Sequence, residues 1–212
     1  MLSSEQHNSS FRLNYRATIM AVFLAFIVVG LGAFTRLSDA GLGCPDWPGC
    51  YGHLTWPDSQ QEKAAAEKLF PDTPVDTKKT WPEMVHRYFA GGLGLLILFL
   101  AVTSIRQRRM GLAVPLKLPI ALLVLVVVQA AFGMWTVTLK LLPQVVTAHL
   151  LGGFSTLALL WLLSLRLRRL FEPAFPSKLR GPSKLAILLL AAVMPAQKRA
   201  WHLLVWAVKL YY

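Results

Sequence analysis

The chain has 212 residues, of which 55% are hydrophobic and 15% are charged, and its formal net charge is +12. This composition excludes an ordinary soluble domain and is typical of an integral membrane protein. The positive charge does not predict nucleic-acid binding. Cytoplasmic loops of membrane proteins carry an excess of Lys and Arg, and the chain shows no aromatic-basic surface motif.

Four apolar runs, each long enough to cross a bilayer, predict four transmembrane helices. They cover about residues 15–34, 82–104, 118–137 and 144–165. The first run is too long for a signal-peptide core, and no small-residue cleavage site follows it. A fifth apolar run begins near Lys184 and reaches Met194. The predicted fold class is an all-α integral membrane protein, namely a four-helix transmembrane bundle (residues 15–170) with a partial fifth span.

The distribution of charge predicts the orientation of the bundle. Eight of the ten acidic residues lie between Asp39 and Glu83, in or beside the loop of residues 36–81. The basic residues of the opposite side are Arg12, Arg16, Lys117, Lys178, Arg180, Lys184 and the clusters at 106–109 and 166–169. The positive-inside rule then makes residues 1–14 a cytoplasmic tail and puts the loop outside a bacterial inner membrane. Residues 171–212 are expected to form a basic linker and the incomplete fifth span with an aberrant tail.

The loop contains the only two cysteines of the chain, Cys44 and Cys50, in the string GLGCPDWPGCYG. The compartment outside a bacterial inner membrane is oxidising, so two nearby thiols there can form a disulfide. Such a bond would serve either as a staple for the loop or as a redox-active or regulatory pair. A zinc site is not expected, because only His53 is near and no second pair of ligands is present.

Two of the five histidines, His86 and His149, lie inside predicted spans, where an ionisable side chain is costly. Each would either bond a carbonyl of a neighbouring helix or serve a function. They lie about four and six residues into spans that both run from outside to inside, so their imidazoles are expected roughly 5–10 Å below the outer helix ends. Two histidines at matched depth can ligate a heme iron from both faces.

Other residues near the predicted heme site have two interpretations each. The glycines at 91–92 and 152–153 follow the histidines and would admit a flat macrocycle or pack helices tightly. Glu83, three residues before His86, would cap its helix or shuttle protons. Arg36 and Arg87, at the outer ends, would bind heme propionates in a bidentate fork or extend to lipid headgroups.

A faint repeat relates the two halves of the predicted bundle. The first span ends in GAFTRL and the third in GMWTVTL, so each has Gly-x-x-Thr at its outer end, before a loop and an incoming helix with one histidine. Two related hairpins, each supplying one ligand, would form a pseudo-symmetric bundle. Gln129, an amide within the third span, would bond either a neighbouring helix or a heme substituent.

Three blocks of sequence, in this order, resemble the heme A synthase family. They are GAFTRLSDAGLGCPDWPGCYG, EMVHRYFAGGLG and QAAFGMWTVTLKLLPQVVTAHLLGG. The resemblance covers roughly residues 15–190 and concerns the N-terminal four-helix half of that family. It implies an eight-helix membrane enzyme of two such halves. The enzyme oxidises the C8 methyl group of heme O to the formyl group of heme A, for cytochrome oxidase assembly.

The same resemblance implies roles for individual residues and partners. His86 and His149 hold the heme O substrate, Glu83 takes part in the chemistry, and Cys44 and Cys50 form a disulfide. A second histidine pair, in the other half of the enzyme, holds a heme b cofactor. The implied partners are heme O, the lipid bilayer, heme O synthase, assembly proteins of cytochrome oxidase and a second copy of the chain.

The sequence departs from the family pattern after Met194. The string PAQKRAWHLLVWAVKLYY places Lys198 and Arg199 where an apolar helix should continue. We interpret this as a truncated or frameshifted product and assign no ligand role to His202. Two other classes of function stay open beside the enzyme or its heme-binding half. These are a non-catalytic b-type membrane cytochrome that relays electrons and a heme-free structural or assembly subunit.

Overall fold

The computed structural model describes residues 4–171, which form five α-helices. They are α1 (Ser4–Leu37), α2 (Gln60–Leu69), α3 (Thr77–Arg109), α4 (Lys117–Thr138) and α5 (Pro143–Phe171). All but the short α2 are long and apolar enough to cross a membrane. The all-α prediction and the four spans are confirmed, and the chain is a multi-pass membrane protein. The predicted fifth span lies outside the described residues.

The helices extend beyond the predicted spans, most clearly at the start of α3. We expected this span to begin near Pro82, whereas the helix begins at Thr77. The side chain of Asp76 accepts a hydrogen bond from the amide of Lys78 at 3.0 Å and so satisfies a backbone donor of the first turn. The start of α1 at Ser4 likewise falls within the residues that we assigned to a tail.

The four long helices form a ring in which each packs mainly on two neighbours. α1 packs on α3 and α5, and α4 packs on the same two helices. Short connections, at 110–116 and 139–142, join α3 to α4 and α4 to α5, as in an antiparallel bundle. α3 and α5 therefore lie across the bundle from each other.

Small residues on α1 bring it close to its neighbours. Ala17, Ala21 and Ala25 recur every four residues and are buried in one cluster with Leu100 of α3 and Leu163 of α5. Small side chains let helix backbones approach closely where lipid supplies no hydrophobic drive for association. Large apolar side chains remain on the outer faces, among them Phe23, Phe26, Leu95 and Val127.

A buried amide pair joins α1 to α3 at the end of the bundle opposite to the loop. Asn14 Nδ2 donates to Gln107 Oε1 at 2.9 Å, and Gln107 Nε2 donates to the carbonyl of Ser10 at 3.3 Å. Asn14 is fully buried. Polar groups inside a transmembrane bundle pair with one another because no water is available to them, so this pair connects the two helices directly.

The loop between α1 and α3 has a small core of its own. Cys44, Cys50, Tyr51 and Ala66 are buried together with Met84, which α3 contributes. The ring of Tyr51 meets that of Phe70 edge-on, with 5.5 Å between the ring centroids. The short helix α2, which the sequence analysis did not predict, begins at a capping box formed by Ser59 and Glu62. The loop is therefore a folded cover on the N-terminal end of α3.

Candidate functional site

The two membrane-embedded histidines lie on opposite helices of the ring and make equivalent contacts. His86 is on α3 and His149 is on α5. The His86 ring lies against Gly32 of α1, where a β-carbon would be 3.0 Å from Cε1. The His149 ring lies against Gly133 of α4, where the corresponding distance is 3.5 Å. Each glycine leaves room for one imidazole.

The faint sequence repeat therefore has a physical basis. Gly32 and Gly133 are the glycines of the two Gly-x-x-Thr motifs. The side chain of His86 interacts with the backbone of Val28, and that of His149 with the backbone of Gln129. Both partners lie four residues before the motif glycine. The hairpins α1–α3 and α4–α5 thus present one histidine each in the same setting, as the predicted pseudo-symmetric bundle requires.

Each of these imidazoles keeps one nitrogen without a partner. The Nδ1 atoms of His86 and His149 are buried and have no hydrogen-bond partner, and the two rings are near enough to interact electrostatically. An unpaired polar atom is costly in a membrane interior, whereas a neutral imidazole nitrogen is a good ligand for iron. The pair fits a heme iron held between α3 and α5. Within the part of the chain that the structure describes, no three His, Cys, Asp or Glu side chains are grouped to hold another metal ion.

The glycines that follow the two histidines differ from each other in their surroundings. An added β-carbon at Gly91 would meet open space, and one at Gly92 would lie 4.0 Å from the side chain of Leu24 on α1. Gly152 lies beneath the side chain of Gln129, so that a β-carbon there would overlap its amide group. Gly153 packs against α1. At 152–153 the glycines therefore permit tight helix packing, which is one of the two interpretations drawn from the sequence.

Glu83 is buried beneath the disulfide loop and is only 5% exposed. Its Oε2 accepts a hydrogen bond from the amide of Cys44 at 3.1 Å, and its Oε1 pairs with the guanidinium of Arg87 one turn later on α3. A buried carboxylate is stable only when such partners compensate its lost hydration. Glu83 lies beyond the first turn of α3, which begins at Thr77. Its carboxylate therefore binds the loop backbone and does not cap the helix.

Arg87 is directed at the loop as well. Its Nη1 donates to the carbonyls of Asp46 at 3.0 Å and Pro48 at 3.2 Å, and also to that of Gly49. These contacts commit Nη1 to the loop. Arg36 is exposed in the last turn of α1. The propionate role of the two arginines stays a prediction.

The structure confirms a disulfide between Cys44 and Cys50, whose Cα atoms are 4.8 Å apart. Both cysteines are fully buried. The neighbouring Gly43 passes so close to the backbone of Lys79 that a β-carbon would overlap it. The loop ring is therefore seated directly on the first turn of α3, which is the arrangement expected of a staple.

Glu83 and Arg87, four residues apart on α3, together hold the loop segment that the disulfide closes. We call this pair the clamp. The carboxylate accepts from an amide at the start of the ring, and the guanidinium donates to carbonyls within it. The sequence analysis missed this clamp because its partners are backbone groups, which leave no side-chain pattern. The i,i+4 spacing of Glu and Arg was the one available signal.

Electrostatic contacts outside the membrane hold the loop further. Lys79 Nζ and Asp39 Oδ2 form an ion pair at 2.9 Å, and the Lys79 ammonium lowers the pKa of Asp39. Asp46 accepts hydrogen bonds from the amides of Tyr51 and Gly52, at 2.6 and 2.8 Å. Burial raises the pKa of the Tyr51 hydroxyl, and the Asp46 carboxylate acts in the same direction.

Comparison with known proteins identifies the family of this chain. The family model described as cytochrome oxidase assembly protein (COX15-CtaA) matches residues 15–196. The chain belongs to this family. The segment of the chain that the family model matches includes both membrane-embedded histidines, the Glu83–Arg87 clamp and the disulfide loop.

Three relatives are named heme A synthase. The protein from Shewanella oneidensis is 50% identical over 157 residues, which are 74% of this chain and 46% of that protein. The protein from Sinorhizobium medicae is 32% identical over 136 residues, 56% of this chain and 35% of its own length. The protein from Rhizobium meliloti is 30% identical over 168 residues, 70% of this chain and 44% of its own length. The chain thus spans less than half the length of these relatives. No solved structure matches it.

Proposed function

We propose that this chain is a heme A synthase, or the heme O-binding half of one, and that it serves the oxidation of the C8 methyl group of heme O to the formyl group of heme A. One observation carries the proposal. Two buried imidazoles, on opposite helices and in equivalent settings, each keep a nitrogen without a partner. The family match and the names of three relatives agree with it.

His86 and His149 would bind the iron of the heme O substrate. The interactions of their rings with the backbones of Val28 and Gln129 would orient both imidazoles, as outer-shell contacts do for metal ligands. Gly32 and Gly133 let the rings lie against the neighbouring helices. The site is thereby preorganised before the substrate arrives.

Glu83 is the candidate catalytic carboxylate. Oxidation of a methyl group to a formyl group releases protons as well as electrons, and Glu83 lies one turn from His86 with its carboxylate held in place by the clamp. This carboxylate is paired with the guanidinium of Arg87. Its role would be to accept a proton near the heme edge and pass it towards the loop.

The topology that fits this function has the N-terminus in the cytoplasm and the loop outside a bacterial inner membrane. The distribution of charge supports this orientation, and a disulfide in the loop suits an oxidising compartment. Heme O synthase would supply the substrate, and cytochrome oxidase assembly would use the product. The heme b cofactor belongs to the other half of such an enzyme, beyond residues 4–171.

The test is the heme content of the purified chain after expression in cells that make heme O. Wild-type protein should retain heme O or heme A, identified by extraction and chromatography. His86→Ala and His149→Ala should each lose the heme. His53→Ala is the matched control, because this histidine lies in the loop outside the bundle. Heme retained by both bundle variants would refute the ligand assignment.

A second candidate, a b-type cytochrome that only relays electrons, has one observation in its favour. If His86 and His149 both held the heme iron, no coordination position would remain for oxygen. Glu83→Gln separates the two functions, since it keeps the shape of the side chain. If the chain is the enzyme, Glu83→Gln should bind heme O but make no heme A. If it is a cytochrome, the variant should have the wild-type absorbance spectrum, and neither wild type nor variant should make heme A.

A further inference from the structure

The two hairpins are equivalent around their histidines except at one side chain. Val28 on α1 and Gln129 on α4 occupy the same position, four residues before Gly32 and Gly133. Each contributes its backbone to the histidine of its own hairpin. One of the two side chains is aliphatic and the other is an amide. The pseudo-symmetric site therefore has a polar side and an apolar side.

The amide of Gln129 lies inside the bundle at a depth that the helix register defines. It covers Gly152, three residues after His149 on the incoming helix α5, and so lies about 4.5 Å further from the loop than the histidine. Gln129 is partly exposed, and its contact within the described residues is with Gly152. An amide in a membrane interior is costly without a hydrogen-bond partner, and it offers both donors and an acceptor.

The polar groups of heme O lie at two opposite edges, which correspond to the two polar regions of the bundle. This step rests on the proposed function. Its two propionates occupy one edge and suit the outer end of the bundle, where water and the exposed Arg36 are found. The opposite edge carries the hydroxyethylfarnesyl group, with its hydroxyl, on one side of the porphyrin midline. On the other side it carries a methyl group, with a vinyl group beyond it. This edge would point away from the loop, towards the depth of the Gln129 amide.

We propose that Gln129 fixes which way round heme O lies between His86 and His149, by a hydrogen bond to the hydroxyl of the hydroxyethylfarnesyl group. Val28 takes the apolar side of the same edge. Gln129 is a positioning and specificity residue in this assignment, and it does not take part in the oxidation.

The reaction needs such a residue because two equivalent histidines cannot orient the substrate. A half-turn of the porphyrin about the line that bisects the propionate edge exchanges its faces and exchanges the propionates with each other. It also puts the C5 methyl group where the C8 methyl group was. A contact at the opposite edge distinguishes the two orientations, because the hydroxyethylfarnesyl group lies on one side of the midline there. One ordinary hydrogen bond corresponds to a preference of roughly tenfold.

The test is the proton NMR spectrum of the oxidised full chain loaded with heme O, in which each orientation gives its own set of heme-methyl resonances. Wild-type protein should show one dominant set, by roughly ten to one. Gln129→Val should show two sets of similar intensity. The exchange variant Val28→Gln/Gln129→Val should show the opposite orientation as the dominant one. Wild-type protein loaded with protoheme, which lacks the hydroxyl, should show both sets without any mutation.

Three results would overturn the inference: a mixture in wild-type protein with heme O, a single unchanged set in Gln129→Val, or a single set with protoheme. The protoheme measurement needs no variant, so a single set with protoheme refutes the inference even if a variant does not fold. Failure of the wild-type chain to bind heme O at all would count against the proposed function, which keeps the two failures distinct.

Discussion

Replacing Arg87 by methionine should release the disulfide loop from α3. Methionine keeps an apolar stem but removes the charge and the donors of the guanidinium. The Glu83 carboxylate, 5% exposed, would lose its ion pair, and the carbonyls of Asp46 and Pro48 would lose their donor. Removal of one partner of a buried ion pair costs about 3–5 kcal/mol. The loss should fall on the loop, because the carbonyl partners of Arg87 lie there.

Hydrogen exchange of the Cys44 amide measures this loss, because that amide donates to Glu83 in the closed loop. A cost of about 3–5 kcal/mol corresponds to exchange faster by about two to four orders of magnitude. Arg36→Met is the matched control, since Arg36 is exposed at the same end of the bundle, and it should leave the exchange rate unchanged. Glu83→Gln/Arg87→Met should recover part of the protection, because it removes the stranded charge. Unchanged exchange in Arg87→Met, or a double variant no better than the single one, would refute the clamp.

Two further predictions concern the loop. Gly43→Ala should lower the Tm in detergent, because the added β-carbon would overlap the backbone of Lys79 and overpacking costs about 1–3 kcal/mol. Gly91→Ala is the control and should not lower the Tm, because its β-carbon would meet open space. Equal Tm values for the two variants would contradict the overlap. Asp39 has a lowered pKa, so its ion pair stabilises the protein above the ordinary pKa of an aspartate, about 3.9, and loses this effect as pH falls through the lowered value. Wild-type protein should therefore have a higher Tm than Asp39→Asn at neutral pH and low salt, and a difference that persists in strong acid would be inconsistent with the ion pair.

The four membrane spans could be predicted because each is one long apolar run. Such a run is recognisable whatever the way in which the helices pack against each other. Helix ends are determined by weaker local effects. The Asp76 cap shifts the start of α3 to Thr77, ahead of the proline from which we counted. The short helix α2 was missed because its ten residues are polar and alanine-rich. Only its packing on the loop core identifies it as an element.

The site could be predicted in part. His86 and His149 stand out because an ionisable side chain in an apolar span is costly. The glycines that receive their rings were in the quoted repeat, but the sequence drew attention to the glycines beside the histidines instead. Which glycine faces which ring depends on how one helix is rotated against another, and spacing within one helix does not contain that information.

The buried Asn14–Gln107 pair bears on this rotation. Asn14 and Gly32 are eighteen residues apart on α1, or about five complete turns, so both lie on the same face of the helix. Lipid gives an apolar helix little reason to prefer one angular setting over another, whereas two amides can pair only at one. A contact at one end of α1 thereby determines which neighbouring helix Gly32 faces, about 27 Å away along the helix. The pair fixes the angular setting of α1, and the position of Gly32 against the His86 ring depends on this pair without touching it.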